Sequence, residues 1–184
     1  MGKSVFKEIG SALIDFSEFL LIGVSVFIIV YLFVGQLLEV SGDSMYPTFK
    51  DKEQIIAEKV SINMNELSRG EIIIFKSPKE PEKLLIKRVI ALPGETIMIN
   101  EGSVYINGEI LNEEYLVPTV QTEGGMVIRE GVEYKIDQDA YVLMGDNRKQ
   151  STDSREYGAV DTELIVGRGI IVYYPFSEFR LVSD

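Results

Sequence analysis

The hydrophobic pattern divides the chain into two regimes. Positions 19–38 read FLLIGVSVFIIVYLFVGQLL, with no formal charge across 20 residues. A helix needs about 20 mostly apolar residues to cross a bilayer, so this run predicts a single transmembrane helix, bounded as 17–38. The run exceeds the roughly 7–15 residue apolar core of a secretory leader. The residues after it, Glu39-Val40-Ser41-Gly42-Asp43, carry no small-x-small cleavage pattern. It therefore reads as a retained anchor. Lys3 and Lys7 lie before it, which predicts a cytoplasmic N-terminal segment over 1–16 and an extracytoplasmic remainder, 39–184.

After the anchor the period falls to two. Short apolar or alternating runs predict strands at 54–57, 71–75, 84–91, 96–99, 103–106, 141–144 and 165–174. Asn107-Gly108 predicts a hairpin joining 104–106 to 109–111. Pro93-Gly94 and the stretch 123–125 mark turns. Few other segments look helical and no repeat is visible, so 39–184 predicts one mostly antiparallel β domain.

Composition then narrows the chemistry. The chain has 184 residues, no cysteine and no histidine. Disulfides, thiol nucleophiles and thiolate metal sites are excluded, as are a Ser-His-Asp triad and a histidine zinc site. A general base near neutral pH must be Lys, Asp, Glu or Tyr. The net charge of −11 leaves no basic footprint for nucleic acid. No metal or cofactor is implied.

Four segments hold candidate chemistry. Ser41-Gly42-Asp43-Ser44-Met45-Tyr46-Pro47-Thr48 follows the anchor. It reads either as a polar turn leaving the membrane or as a loop shaped by Gly and Pro that presents the Ser44 hydroxyl. In Leu84-Leu85-Ile86-Lys87-Arg88-Val89-Ile90-Ala91, Lys87 is, among 11 lysines, the one most embedded in aliphatic residues. Burial would lower its pKa and suit it to act as a base; an edge-strand lysine facing water fits the local sequence equally well. Gly145-Asp146-Asn147-Arg148-Lys149-Gln150-Ser151-Thr152-Asp153-Ser154-Arg155 is either a solvated loop or an orienting hydrogen-bond network. Arg69-Gly70-Glu71, before the apolar run 72–75, reads as a structural turn into a core strand.

In order and behind an anchor, these segments resemble the bacterial type I signal peptidases, in their compact Gram-positive-like form. The matching stretches are Ser44-Met45-Tyr46-Pro47-Thr48, 69–75, 87–94 and 145–155. The resemblance implies an antiparallel two-sheet catalytic domain behind one N-terminal transmembrane helix. It implies a serine endopeptidase at the cell membrane that removes signal peptides from exported preproteins through an acyl-enzyme. Ser44 matches the nucleophile and Lys87 the general base. Ser151 matches the serine that orients the lysine amine. Asp153 and Arg155 match a supporting ion pair, and Asp146 and Arg148 fall in the same motif as structural support. Met45, Tyr46 and Phe49 are expected to touch substrate or bilayer. Partners implied are signal peptides with small residues at the first and third positions before the cut, and the lipid bilayer. Where some relatives place an oxyanion-binding serine, this chain has Gly42, which leaves the Ser44 N–H as the donor the resemblance implies. A self-cleaving Ser/Lys repressor is disfavoured by the anchor, and a Ser-x-x-Lys site by Pro47. A catalytically dead β module would have lost the serine or lysine, and both are present.

Overall fold

The computed structural model describes residues 2–33, 35–59 and 67–182. Helix α1 spans Gly2–Phe33, and a strand, β1 (Gly35–Glu39), follows at once. The uncharged run 19–38 therefore does not stay helical to its end. From Gly35 the backbone pairs antiparallel with β2 (Gln54–Glu58), Leu37 opposite Ile56, so the last apolar residues of the expected span belong to the sheet. An apolar run alone does not distinguish helix from buried strand at its end. Among the described residues no helix is long and apolar enough to cross a membrane. The side chains at 29–33 and the whole of residue 34, part of the expected span, lie outside the described residues. Side chains 12–28 of α1 are exposed, including Phe16, Phe19 and Phe27.

The remaining strands are β3 (Ile72–Lys76), β4 (Leu84–Ala91), β5 (Thr96–Asn100), β6 (Ser103–Ile106), β7 (Glu109–Ile110), β8 (Tyr134–Lys135), β9 (Ala140–Met144), β10 (Val160–Asp161), β11 (Ile165–Tyr174) and β12 (Arg180–Leu181). They form two sheets, in which the named strand pairs are antiparallel. The larger has the order β1-β2-β11-β3-β4-β9-β10, with β12 added to β11; the smaller has the order β7-β6-β5-β8. The expected hairpin forms at Asn107 and Gly108, whose φ values of 51° and 86° suit a tight primed turn. A short helix, α2 (Ser154–Tyr157), is capped by the Asp153 side chain.

Alternation on the central strands separates two cores. On β3, Ile72 and Ile74 join Val40, Met45, Phe49, Ile55, Ala57 and Val172 on one side. Ile73 and Phe75 join Val89, Leu143 and Val160 on the other. A third cluster, with Ile97, Ile99, Ile106, Ile128 and Ile136, sits with the small sheet. Met45 and Phe49 are 1% and 0% exposed. They are core residues and not the substrate or bilayer contacts expected of them; burying them roots the turn that carries Ser44. Tyr46, between them, is exposed at 53%.

Candidate active site

The turn after β1 is fixed from several sides. Gly42 has φ +87° and donates its N–H to Asp51 Oδ1 at 2.7 Å. Tyr46 N–H bonds the Asp43 carbonyl at 3.1 Å, and Phe49 N–H bonds the Met45 carbonyl at 2.9 Å. The Ser44 carbonyl accepts from Asn147 N–H at 3.0 Å, while Asn147 Nδ2 donates to the Asp43 carbonyl at 3.1 Å. The nucleophile candidate is thus held by its backbone, leaving the hydroxyl to face β4. Among the described residues the Ser44 N–H donates to no acceptor.

β4 supplies the partner. Lys87 lies opposite Ile73 on β3 and just past the stretch of β4 that pairs with β9, where Arg88 faces Met144. The loop leaving β9 at Gly145 folds over it. Lys87 is 3% exposed, and its Nζ donates to Ser44 Oγ at 2.7 Å and to the Ile86 carbonyl at 2.9 Å. Burial lowers its pKa to about 8, against the opposing pull of the Asp153 and Asp146 carboxylates. A neutral amine at this distance can take the proton of a hydroxyl.

The loop 145–155 is a network and not a solvated tether. Asp153, fully buried, accepts from the Arg155 guanidinium at Oδ1 and Oδ2, both at 2.9 Å, and from Gly145 N–H at 3.1 Å. Arg155 Nη2 also donates to the Arg148 carbonyl at 2.7 Å. The expected Asp153–Arg155 pair is present. Asp146 and Arg148, by contrast, do not pair with each other. Asp146 takes two bonds from Arg88, at 2.9 and 2.8 Å, and one from Thr48 Oγ1 at 2.5 Å. Arg148 pairs with Glu113, also reaches Thr122, and donates to the Gly145 carbonyl at 3.2 Å.

Ser151 Oγ is buried beside this centre, but among the described residues it has no hydrogen-bond partner. The bond from Ser151 to the lysine amine that the resemblance implies is not formed here. Gly145 sits between the two serines: a Cβ there would run into both Ser151 Oγ and the Ser44 carbonyl.

Several contributors escaped sequence reasoning. Arg88 had a usable signal, because on a strand it must face away from its neighbour Lys87, and a buried arginine demands a carboxylate. Glu113 and Tyr115 had none. They lie in an aperiodic stretch, and only the fold brings the Tyr115 ring 4.0 Å beneath the Arg88 guanidinium. Arg69 lies in the expected turn before β3, and it also bonds Glu95, just ahead of β5, at 2.6 Å.

A cavity with mixed polar and apolar walls opens beside Ser44 and Lys87, lined by Leu38, Glu39, Val40, Lys83, Leu84 and Ile86 among others. Residues 13–174 match the family described as signal peptidase, peptidase S26. The chain is 33% identical to a probable signal peptidase I-2 of Synechocystis, over 83% of this chain and 69% of that protein. It is 31% identical to a signal peptidase I of Bacillus amyloliquefaciens, over 92% of both chains. A solved signal peptidase I from Enterococcus faecalis is 28% identical, with 56% of this chain and 97% of that chain covered and a TM-score of 0.48. The chain belongs to the signal peptidase family, peptidase S26. Within that family it is a hydrolase of the signal peptidase I kind.

Proposed function

We propose that this enzyme removes signal peptides from exported preproteins with a Ser44/Lys87 dyad. The observation that carries the reading is the 2.7 Å contact between a buried, pKa-lowered Lys87 amine and Ser44 Oγ. Neutral Lys87 takes the Ser44 proton as Oγ attacks the scissile carbonyl. The oxyanion forms next to the Ser44 N–H, which has no acceptor among the described residues. The Lys87 ammonium then protonates the departing amine, and water hydrolyses the ester. Residues before the cut lie in the cavity between 38–44 and 84–87, where Leu38, Val40, Leu84 and Ile86 offer apolar contact. On β4, residues 84–86 pair with β3 but lie beyond the pairing with β9, an edge to which an extended peptide can add.

The same reading seats the enzyme at a membrane. Its supports are the 20 uncharged residues at 19–38 and the exposed apolar side chains of α1. A third support is an apolar row on the outer face of the large sheet. Leu37, Ile56, Ile171 and Leu181 lie side by side across β1, β2, β11 and β12, with Leu37 53% and Leu181 71% exposed. Phe176 and Phe179, also exposed, are next to it in sequence.

The test is cleavage of a preprotein by detergent-solubilised enzyme. Ser44→Ala and Lys87→Ala are each expected to abolish mature product. Near-full activity in Lys87→Ala would overturn the dyad.

A further inference from the structure

Beyond Ser44 the nucleophile turn has a second side. Tyr46 and Pro47 form one wall of a separate cavity, Asn147 and Lys149 another, and Val117 and Val120 a third. The linings of the two cavities share no residue, but one hydrogen-bonded pair links their walls. Ser44 lines the first, and Asn147, whose N–H holds the Ser44 carbonyl at 3.0 Å, lines the second. A peptide whose residues before the cut filled the first cavity would, on crossing Ser44 Oγ toward Asn147, reach the second.

The second cavity is built in advance. Its outer wall is the stretch 113–120, folded on itself by Leu116 N–H to the Glu113 carbonyl at 3.0 Å and Val120 N–H to the Val117 carbonyl at 2.8 Å. That stretch is bolted to the catalytic loop by the Glu113–Arg148 ion pair, in which Arg148 is 3% exposed. Two of the three charged side chains in the lining are already matched, Arg148 by Glu113 and Asp146 by Arg88. Lys149 is exposed and makes no ion pair among the described residues, so it gives the mouth a positive charge in a chain of net charge −11. The remaining surface is amphipathic, with Tyr46 53% and Val117 49% exposed.

We infer that this cavity receives the first residues of the mature protein, on the far side of the scissile bond, and that Lys149 makes it prefer a carboxylate there. The inference rests on the signal peptidase reading above and adds a second specificity determinant to it. Its occupant follows from its place across the Ser44–Asn147 link from the first cavity and from the single uncompensated charge. An extended chain places its second and third residues after the cut roughly 7–10 Å from the last residue before it, the scale of a neighbouring cavity.

The experiment uses the full-length enzyme in detergent and three preproteins that differ only at the second and third mature positions, which carry Glu, Ala or Lys. They compete in one tube, so that ratios of kcat/KM are read directly. The wild-type enzyme is expected to favour the Glu preprotein over the Lys preprotein by about two- to fivefold, the scale of an exposed charge pair. Lys149→Glu is expected to reverse the order, and high salt to flatten both preferences. The ratio for Ala against Val at the third position before the cut, read in the same variant, is expected to match the wild type. That match shows a folded enzyme with an intact first cavity. A Glu-to-Lys ratio unchanged by Lys149→Glu, with cleavage intact, overturns the inference alone. If the wild-type enzyme cleaves none of the preproteins, the signal peptidase reading falls and takes the inference with it.

Discussion

Gly145 leaves room for a hydrogen and nothing larger between the Ser44 carbonyl and Ser151 Oγ. Gly145→Ala must push the Ser44 turn or the loop 145–155 aside, since one of its clashes is with backbone. The expected result is a fall in kcat of about 10- to 100-fold, the usual cost of a displacement near 1 Å, with a smaller change in KM; steady-state kinetics on a signal-peptide substrate reads both. Lys87 carries a different tension. In the unfolded chain its amine has the ordinary pKa of 10.5, and in the fold about 8. The fold therefore disfavours the charged amine. The penalty is full below pH 8, shrinks as pH rises, and is gone by about 10.5. Lys87→Met should abolish cleavage yet stabilise the protein by on the order of 2–3 kcal/mol at pH 7, an advantage that fades towards pH 10. Urea unfolding at both pH values checks it. In the wild-type enzyme kcat/KM should rise with pH to a plateau, with a midpoint near 8. The missing histidine and the aliphatic neighbours narrowed the base to Lys87, but the local pattern fitted a solvated edge lysine equally well, and only the family resemblance chose between the two. Met45 misled, because its place beside a polar turn looked exposed while its side chain turns into the core.

At the level of elements, strand alternation links the site to the fold. Lys87 and Arg88 are consecutive on β4 and point to opposite faces, one to Ser44 and the other to Asp146. Arg88 and Asp146 are each 2% exposed, so the loop 145–155 is fastened to β4 by a buried ion pair. Removing one partner strands the other. Arg88→Met or Asp146→Leu alone should cost about 3–5 kcal/mol, whereas the double variant should lose clearly less than the sum of the two. Chemical denaturation of the four proteins in the cycle measures this, and simple additivity would mean that the pair does not fasten the loop. The long strands β2, β3, β4, β5, β6, β9 and β11 were legible from period-two or continuous apolar runs. The two-residue strands β8, β10 and β12 and the four-residue α2 were not, since elements so short have no periodicity to read. β1 was hidden for another reason: its apolar residues continue the run of the preceding helix without a break.

For the whole molecule, that missing break has a consequence. α1 ends at Phe33 and β1 is paired from Gly35, so little chain separates helix from sheet. If α1 sits in a bilayer, the outer face of β1 and β2 sits beside the lipid surface. The apolar row Leu37, Ile56, Ile171 and Leu181 crosses that face. With a net charge of −11 the chain gains nothing from anionic headgroups, so apolar burial must hold the domain down. Each exposed leucine buried in the interface contributes roughly 1–2 kcal/mol. Leu37→Asp combined with Leu181→Asp is therefore expected to slow cleavage of a preprotein inserted in vesicles by about tenfold or more, through a higher apparent KM. Cleavage of a short water-soluble peptide by the same variant, assayed in detergent, should change by less than about twofold. The dyad lies on a different wall, behind Leu38 and Val40, so such a split would assign the row to substrate delivery at the membrane. Equal losses on both substrates would instead assign the row to the stability of the sheet.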